Sequence, residues 1–573
     1  MRIFKYIGKF IGFIIKQIFA ALIFIGVFLS LILFIITIIL KKEETKPISI
    51  VEKKSYINIS LPYEIKEVNS FEMFTKTPNL TMYDLLRTID YASKDNKIYG
   101  IYLELDNINL SFSQIEELQN ALMNFKKNNK KIIAYANSVD KNNYLLGSIA
   151  NRFYMNPSAS TDFTLEGFSL SIPYSKKLTD KIGVEFKVVH VGDYKTYGEN
   201  YVKENISEEF KKSYEKILYS KADYFIKEIS KNKKIPLETF RDSYLNGEYL
   251  LINSKKALNL GLVDELISFD KIFDKEKMKN RIDLADYLSS IKRNNANDKI
   301  AVIVAEGNIS NNVDSDNINP TYIEEQFKKA LNDRSVKAIV LRINSSGGSA
   351  LASEIIHQKL LEIKKKKPVY VSISDTAASG GYYIATAGNK IFANENSITG
   401  SIGVVTMSFN LKDLFEKVGL NYENLEFGKT LDFSNISQSP EKYELELIEE
   451  SMISVYEEFK SRVGSGRKID IETVESLAKG QIYTGIEAKN NKLVDQIGGL
   501  NQTISYLAKD LKLNNYEVIV YRKDFNTWDQ MTNFSNYLSL DKYFKTFQKL
   551  NKGIEFYEEI NNKSSLIFPY DIN

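Results

Sequence analysis

The chain has 573 residues, and its 76 basic and 73 acidic side chains leave a formal net charge of +3. This near balance argues against a dedicated nucleic-acid-binding protein, and the length is enough for two or more domains. The sequence has no cysteine and only two histidines, His190 and His357, which excludes thiol nucleophiles, disulfides and histidine-rich metal sites.

The first predicted element in the chain is a membrane anchor. Residues 18–40 form an uncharged, apolar run that is long enough to cross a bilayer. Four basic residues precede this run: Arg2, Lys5, Lys9 and Lys16. The excess of positive charge predicts a cytoplasmic amino terminus and places residues 45–573 on the other side of the membrane. The run is too long for a cleaved signal peptide and lacks a small-residue cleavage site, so we expect it to be retained.

The remainder of the chain shows an internal repeat. Segment 98–107 (IYGIYLELDN) matches 336–345 (VKAIVLRINS) at an offset of 238 in the numbering. Further along, 246–264 matches 479–495, with the offset shortened to 231 at a shared Leu-Val-Asp. Matches that keep their order at a nearly constant spacing indicate two copies of one domain, and the polar stretch 292–299 is the predicted boundary.

These patterns predict four parts of the chain. They are the cytoplasmic terminus with its anchor (1–44), a first repeat (45–295), a second repeat (296–520) and a carboxyl-terminal tail without assignment (521–573). In the second repeat, apolar runs at 299–307, 336–344 and 368–374 predict strands, and periodic segments at 322–333 and 350–367 predict helices. Such alternation predicts an α/β fold with a mostly parallel sheet, which binds ligands at the carboxyl ends of its strands.

Two turns that follow predicted strands carry candidate functional residues. In Asn-Ser-Ser-Gly-Gly, Gly347 and Gly348 can direct backbone N–H groups toward a developing oxyanion. Ser379 lies between a strand and a helical run and is followed by Gly380, whose N–H is then available to the same oxyanion. Each turn alone has a plainer interpretation as a tight turn or a helix cap. Together they supply both halves of an acyl-transfer site.

A serine nucleophile needs a base, and neither histidine has the sequence context of a triad. His357 is predicted to lie on the surface of a helix, and His190 on a strand of the first repeat. The alternative is a neutral lysine, whose ordinary pKa of about 10.4 must fall by ~3 units, at a cost of about 4 kcal/mol that burial can impose. Lysine is too common in this chain for composition to select one.

Three segments resemble the signal peptide peptidase A (protease IV) family, in its long form with two repeats and an amino-terminal anchor. They are LRINSSGGSALASEII (341–356), AASGGYYIATAGNKIFANENSITGSIGVV (377–405) and GDYKTYGEN (192–200). The resemblance extends from the anchor to about residue 510. It implies two tandem crotonase/Clp-protease-like repeats of ββα type after one transmembrane helix, and a Ser-Lys dyad that needs no metal or cofactor.

The resemblance also implies roles for individual residues. Ser379 matches the nucleophile, Lys195 the general base, and Ser401 the serine that orients the lysine. The oxyanion and substrate-binding turns correspond to Gly347, Gly348 and Gly380. At the offset of 238, Ser379 falls on Lys141, so the first repeat is expected to contribute only its lysine.

Two departures from the family and one competing base accompany this assignment. Ser346 replaces the family's proline beside the glycine pair, with little expected effect, and residues 196–200 differ from those of well-known long relatives. Lys429 is the competing base, because short relatives carry their lysine about fifty residues after the serine. Leucine stands two places after Lys429, where the lysine of the short form's motif belongs, which favours Lys195.

The function implied by the resemblance is that of a membrane-bound serine endopeptidase that degrades cleaved signal peptides. Its expected location is the bacterial inner membrane, with the catalytic part outside the cytoplasm. Its expected partners are signal peptides and other short apolar peptides, the membrane and three further copies in a homotetramer, but no nucleic acid. A crotonase-like acyl-CoA enzyme and a non-catalytic membrane scaffold are the alternatives.

Overall fold

The computed structural model describes residues 26, 28 and 30, residues 50–521 with short gaps, and residues 565–567. The gaps are 62–64, 68–79, 107, 292–295, 313–316, 426, 430 and 432–434. The chain divides into two units, Met1–Val51 and Glu52–Asn573. In the first unit residues 26, 28 and 30 are helical, and the rest of the predicted anchor at 18–40 lies outside the described residues. Within the described residues, no helix is both long enough and apolar enough to cross a bilayer.

The N-terminal half of the second unit contains a six-stranded sheet. The strands described in this half are β1 (Ser55–Ser60), β2 (Ile98–Glu104), β3 (Lys131–Ala136), β4 (Arg152–Met155), β5 (Glu185–Val191), β6 (Glu265–Leu266) and β7 (Arg281–Asp283), and all of them except β5 belong to this sheet. The helices are α1 (Met82–Lys94), α2 (Phe112–Lys127), α3 (Lys141–Gly147), α4 (Lys176–Ile182), α5 (Glu199–Val202), α6 (Glu208–Lys233), α7 (Leu237–Leu245), α8 (Ser254–Asn259), α9 (Phe269–Lys275) and α10 (Leu284–Ser290). The sheet order is β6-β4-β3-β2-β1-β7, and every pairing in it is parallel.

The C-terminal half contains an eight-stranded sheet of similar design. The strands described in this half are β8 (Asp298–Glu306), β9 (Val336–Ser345), β10 (Gly347–Ser349), β11 (Val369–Ala378), β12 (Lys390–Ala393), β13 (Ile398–Gly400), β14 (Val404–Asn410), β15 (Ile482–Thr484), β16 (Gln496–Ile497) and β17 (Tyr516–Tyr521), and the tail adds β18 (Ser565–Ile567). Strands β10, β14 and β18 lie outside the eight-stranded sheet. Its helices are α11 (Pro320–Asn332), α12 (Ala350–Lys364), α13 (Gly380–Ala385), α14 (Lys412–Lys417), α15 (Lys442–Arg467), α16 (Ile471–Leu477), α17 (Gly485–Asn490) and α18 (Leu500–Asp510). The main path of the sheet is β15-β13-β11-β9-β8-β17, and β12 joins β11 to β16.

The elements of the two halves recur at the spacing seen in the sequence. The first residues of helices α2 and α12 keep the offset of 238, as do those of strands β4 and β12. Farther along, the first residues of α8 and α17 keep the shortened offset of 231. The predicted α/β class with parallel sheets is therefore confirmed, while the limits of the four predicted parts stay predictions.

Short-range sequence signals explain where the helices start. Helix α2 begins after Ser111, whose hydroxyl accepts the N–H of Gln114 while the Gln114 side chain accepts the N–H of Ser111. Helix α12 begins after Ser349, whose hydroxyl accepts the N–H of Ala352. Both caps follow the carboxyl end of a parallel strand, so each helix starts at the sheet edge where ligands collect.

A smaller antiparallel sheet joins the two halves. Its order is β10-β18-β14-β5, and β5 from the N-terminal half pairs with β14 from the C-terminal half over seven residue pairs. The register runs from Glu185 opposite Asn410 to Val191 opposite Val404. This pairing places β5, a strand of the N-terminal half, directly beside a strand of the C-terminal half.

A buried ion cluster also connects the halves. Arg342 lies on the central strand β9 with no exposed surface, and its guanidinium donates to Glu67 and Glu117 of the N-terminal half, each at 2.7 Å. The hydroxyls of Ser372 and Ser374 on the neighbouring β11 lie 2.9 and 3.0 Å from the same guanidinium. The positive charge therefore has two buried carboxylates and two hydroxyls around it, which offsets its desolvation.

Helix α2 holds a turn of the C-terminal half through Glu116 and Glu117. The buried Glu116 carboxylate accepts the N–H of Glu395 at 2.8 Å, the N–H of Asn396 at 3.2 Å and the side-chain amide of Asn396 at 3.0 Å. Glu117 accepts the side-chain amide of Asn394 at 2.8 Å. This turn connects β12 to β13, so α2 fixes the start of β13.

Replacing Arg342 by Met should lower the free energy of unfolding by about 3–5 kcal/mol, because two carboxylates are left buried without their cation. Lys94→Met is the matched control, since it breaks the exposed Lys94–Asp90 pair and should cost at most about 0.5 kcal/mol. Urea denaturation followed by circular dichroism measures both. Equal denaturation midpoints for the two variants would show that the buried cluster does not stabilise the fold.

Candidate active site

Ser379 occupies a strained turn between β11 and α13. Its backbone has φ of 54° and ψ of −118°, which is unusual for a residue with a side chain and typically costs on the order of 1–3 kcal/mol. The strand β11 pairs with β12 along Tyr370–Ser372 and with β13 along Thr376–Ala378. The Ser379 N–H donates to the carbonyl of Gly400 at the end of β13, at 2.9 Å. The turn expected from the sequence is therefore present, and two strands hold it.

Lys195 brings an amine from the N-terminal half to this turn. Its Nζ lies 2.7 Å from Oγ of Ser379, 2.9 Å from Oγ of Ser401 and 3.1 Å from the carbonyl oxygen of Ser401. The side chain is 1% exposed, and this burial lowers the pKa of Lys195 well below its usual value. A lysine whose pKa is lowered in this way can be neutral and can accept a proton from a hydroxyl.

Two glycines allow the backbone of Lys195 to approach the C-terminal half. At Gly480, which has a φ of 84°, a Cβ would lie 2.3 Å from the nitrogen of Lys195. At Gly192, which has a φ of 111°, a Cβ would lie 2.5 Å from the carbonyl carbon of Lys479. The N–H of Tyr194 also donates to the carbonyl of Lys479 at 2.8 Å. The turn after β5 therefore packs backbone to backbone against the 479–480 loop, which fixes the origin of the lysine side chain.

The backbone of Ser401, like that of Ser379, has a positive φ and is held by a hydrogen bond. It has a φ of 52°, and its N–H donates to the carbonyl of Gln481 at 2.7 Å. Since Ser401 follows Gly400 directly, β13 positions the carbonyl that binds the Ser379 N–H and the hydroxyl that contacts Lys195. The three side chains expected at the site are thus brought together by one strand end and one turn.

The glycine turn after β9 lies beside Ser379. Gly348 has a φ of 148°, and a Cβ there would lie 2.1 Å from the carbonyl oxygen of Ile309. A Cβ on Gly380 would lie 3.3 Å from the nitrogen of Gly348. Ser346 lies between β9 and β10 without interrupting either strand. The backbones of Gly348 and Gly380 therefore lie close together beside Ser379.

An apolar cluster lies directly before Ser379 and draws on both halves. Its buried members are Phe210, Tyr214, Ile217, Ala378, Ile398 and Ile482. The first three belong to α6 of the N-terminal half, and the others to β11, β13 and β15. Leu170, Ile172 and Leu218 pack against this cluster and are only partly buried. The polar dyad therefore has an apolar wall next to it.

Glu199 is a residue near the site that sequence reasoning did not identify. It is buried, and its carboxylate accepts the hydroxyls of Tyr174 and Ser207, each at 2.5 Å, and the Ser207 N–H at 3.2 Å. Ser207 caps α6. The acidic residue four places after Lys195 therefore links the lysine turn to the helix that lines the apolar cluster.

The other candidate bases lie in different surroundings. Lys429 is exposed, with its Nζ 4.7 Å from the centre of the Tyr443 ring. Lys141, at the first residue of α3, has its Nζ 3.4 Å from the carbonyl oxygen of Gly167 and 4.7 Å from the Phe168 ring centre. Burial lowers the pKa of Lys141. Among the described residues, no serine hydroxyl lies within hydrogen-bond distance of its amine.

The prediction that His357 lies on the surface is wrong. His357 is buried on the inner face of α12, and its ring packs edge-on against Tyr383 with the ring centres 5.4 Å apart. Burial lowers its pKa to about 4. His190 is exposed on β5, as the strand prediction allows. Within the part of the chain that the structure describes, no group of His, Asp or Glu residues is arranged to hold a metal ion.

The sequence matches a known family along two segments. A sequence profile described as Peptidase family S49 matches residues 124–283 and 362–514. The first segment contains Lys195, and the second contains Ser379 and Ser401. The two matches fall in the two structural halves, so the family's pattern occurs twice in this chain.

Individual relatives are similar over most of the chain. The chloroplast serine protease SPPA of Arabidopsis thaliana is 30% identical over 74% of this chain. The matched region covers 65% of that protein, slightly under two thirds of its length. Protease 4 of Haemophilus influenzae is 32% identical over 74% of this chain and 72% of its own length. A protein of Enterococcus faecium, provisionally named signal peptide peptidase SppA, is 37% identical over 39% of this chain and 65% of its own length.

The nucleophilicity of Ser379 should rise with pH through the lowered pKa of Lys195, because only the neutral amine can accept the serine proton. The rate of Ser379 labelling by a fluorophosphonate, followed by mass spectrometry, should increase about tenfold per pH unit below that pKa and then level off. The plateau should be reached well below the ordinary lysine pKa of about 10.4.

The variant Glu116→Gln distinguishes a rise in labelling rate caused by Lys195 from one caused by ionisation of Glu116. This control is needed because burial raises the pKa of Glu116 to about 7. The labelling rate of Glu116→Gln should still rise with pH, whereas the labelling rate of Lys195→Ala should lose this rise. A labelling rate in Lys195→Ala with the pH profile of the unmodified chain would assign this rise to a different group.

Proposed function

The chain belongs to peptidase family S49, a family of serine peptidases, and we propose that it is a membrane-bound endopeptidase that degrades cleaved signal peptides. The observation that carries the proposal is the 2.7 Å separation of Lys195 Nζ and Ser379 Oγ in a buried site. Family membership disfavours the two alternatives, an acyl-CoA enzyme and a scaffold without activity. Ser379 and Lys195 are the proposed catalytic residues.

In the first step Ser379 Oγ attacks the carbonyl carbon of the scissile peptide bond while its proton passes to the neutral amine of Lys195. The N–H groups of Gly348 and Gly380 are the proposed donors to the oxyanion, and Gly347 shapes their turn. Collapse of the tetrahedral intermediate breaks the C–N bond, and the lysine ammonium gives its proton to the leaving amine. An ester between Ser379 and the acyl part of the peptide remains.

In the second step water attacks the ester carbonyl and gives a proton to Lys195, which is neutral again after the amine product has left. The ester C–O bond breaks, and the proton returns to Ser379 Oγ. Ser401 acts throughout as a positioning residue, because its hydroxyl and carbonyl oxygens lie 2.9 and 3.1 Å from Lys195 Nζ. No metal or cofactor takes part in this scheme.

The proposed substrate class rests on the lining of the site and on the name of one relative. The apolar cluster beside Ser379 offers a surface for an apolar side chain. The Enterococcus relative is named as a signal peptide peptidase. Small or apolar residues at the cleavage site agree with both features.

The membrane location is part of the same proposal. The uncharged run 18–40 with its basic flank would anchor the chain once in a bacterial inner membrane and place the catalytic part outside the cytoplasm. We further propose crotonase/Clp-protease-like repeats at 45–295 and 296–520 and assembly as a homotetramer. Such an assembly would enclose the apolar surfaces beside the dyad.

Ser379→Ala and Lys195→Ala should each reduce peptide hydrolysis by a factor on the order of 10⁴ to 10⁶, and the double variant should be no worse than either single one. Lys141→Ala and Lys429→Ala are the matched controls and should keep most of the activity. Hydrolysis of a fluorogenic apolar peptide measures all of them. An inactive Lys429→Ala beside an active Lys195→Ala would move the base to the C-terminal half.

The topology proposal predicts that residues 45–573 are accessible from outside the cytoplasmic membrane. A periplasmic reporter fused after residue 45 should be active, and protease added to spheroplasts should digest the catalytic part. A cytoplasmic reporter fused at the amino terminus is the control for membrane integrity. Protection of residues 45–573 in intact spheroplasts would reverse the proposed orientation, which follows from the charge bias.

A further inference from the structure

The buried carboxylate of Glu199 is surrounded by hydrogen-bond donors. The hydroxyls of Tyr174 and Ser207 each donate to it at 2.5 Å, and the Ser207 N–H donates at 3.2 Å. The half-exposed ammonium of Lys203 lies 3.7 Å from the same carboxylate. Taking a carboxylate out of water costs free energy unless its oxygens are hydrogen-bonded. The chain therefore maintains a buried charge close to the site, although the proposed reaction steps do not use it.

The donors to this carboxylate come from two walls of the apolar cluster beside Ser379. Ser207 caps α6, and three residues later α6 contributes Phe210 to the cluster. Tyr174 lies in the segment between β4 and α4, two residues after Ile172, which packs against the same cluster. One carboxylate therefore connects the helix on one side of the cluster to the segment on the other.

The backbone of Glu199 connects these two walls to the turn that carries Lys195. The Glu199 N–H donates to the carbonyl of Thr196, the residue after the lysine, at 3.2 Å. Gly198 has a φ of 82°, and a Cβ there would lie 3.0 Å from the Val188 side chain of β5. The short segment from the lysine to the carboxylate is therefore packed against the antiparallel sheet, and a displacement of Glu199 would move the lysine with it.

The carboxylate of Glu199 points away from the lysine amine. Its oxygens accept the donors from the two walls, whereas Lys195 Nζ contacts the hydroxyls of Ser379 and Ser401. Burial lowers the pKa of Lys195, and a carboxylate beside the amine would raise that pKa instead. Glu199 can therefore hold the lysine through the backbone without making its amine more basic.

We propose that Glu199 is a positioning residue for the peptidase reaction, which fixes the turn of Lys195 to both walls of the apolar cluster. The inference rests on the proposed function, because it assigns a role within that same site. An apolar side chain that fills the cluster presses on the two walls and, through Glu199, keeps the amine against Ser379 Oγ. Binding energy from a part of the substrate that does not react is then used to orient the base, which raises kcat.

The first test measures kcat and KM of the full chain for a fluorogenic apolar peptide. Glu199→Ala should lower kcat about 10- to 100-fold, because a displacement of about 1 Å costs that much rate. The KM should change less than about twofold, since the apolar cluster itself is kept. Glu208→Ala is the matched control, because it removes an exposed carboxylate from the first turn of α6, and it should keep both constants. An unchanged kcat in Glu199→Ala, or a loss confined to KM, would overturn the inference.

The pH profile of Ser379 labelling by a fluorophosphonate separates positioning from a loss of folded protein. A looser turn admits water to the amine, so the pKa of Lys195 should move up toward its ordinary value of about 10.4. In Glu199→Ala the rise in labelling rate should therefore shift to higher pH and recover in part at alkaline pH. A smaller folded fraction would instead lower the rate by the same factor at every pH. A rise at the pH of the unmodified chain contradicts the positioning role.

Tyr174→Phe tests the same connection with a smaller change. It keeps the ring and removes only the hydroxyl that donates to Glu199, so it should lower kcat and shift the labelling profile in the same direction, by less than Glu199→Ala. Because Tyr174 acts through Glu199, adding Tyr174→Phe to Glu199→Ala should cause no further loss of kcat. Losses that multiply would show that the two residues act independently. Circular dichroism on heating measures the folding of each variant, and the single Tyr174→Phe variant decides the test if Glu199→Ala does not fold.

The unmodified chain separates failure of this inference from failure of the proposed function. If that chain neither hydrolyses the peptide nor becomes labelled at Ser379, the peptidase function is rejected, and the role of Glu199 with it. If it does both, and Glu199→Ala and Tyr174→Phe match it in kcat and in pH profile, only the role of Glu199 is rejected.

Discussion

An amine held inside the protein against a serine hydroxyl is the constraint on which the site depends. Lys195 has no carboxylate partner among the described residues, and burial alone lowers its pKa. Its Nζ is surrounded by the hydroxyls of Ser379 and Ser401 and by one carbonyl oxygen. These groups solvate a neutral amine well and compensate an ammonium poorly. The backbone must therefore exclude water and acidic side chains from the tip of the lysine.

The lysine and the serine belong to different halves, so this exclusion requires that the halves interlock. Three sets of contacts hold the halves together. They are the pairing of β5 with β14, the Arg342 ion cluster and the hydrogen bonds between α2 and the turn before β13. The last set reaches the site most directly. The turn that Glu116 holds leads through β13 to Gly400, whose carbonyl accepts the Ser379 N–H, and to Ser401, whose hydroxyl contacts Lys195.

Much of the architecture could be predicted because it follows from patterns that are visible in the amino-acid sequence. Apolar runs, helix periodicity and the offset of 238 predicted the alternating elements, and the glycine motifs predicted two turns that meet at Ser379. The family resemblance supplied Lys195 and Ser401, whose catalytic roles stay predictions. His357 was misplaced because charged neighbours hid the spacing of the inner face of α12. Gly480 and the tail strand escaped detection because their partners lie far away along the chain.

The close approach of Gly480 to Lys195 has a consequence for the order in which the chain is made. The two serines that contact the Lys195 amine, Ser379 and Ser401, are synthesised after it, and the 479–480 loop that packs against its backbone comes later still. A nascent chain that ends before residue 379 therefore carries Lys195 without its two serine partners. A longer chain that ends before residue 480 carries both serines, but the backbone of Lys195 still lacks the loop that packs against it. The complete set of contacts around Lys195 can therefore form only when translation has passed residue 480.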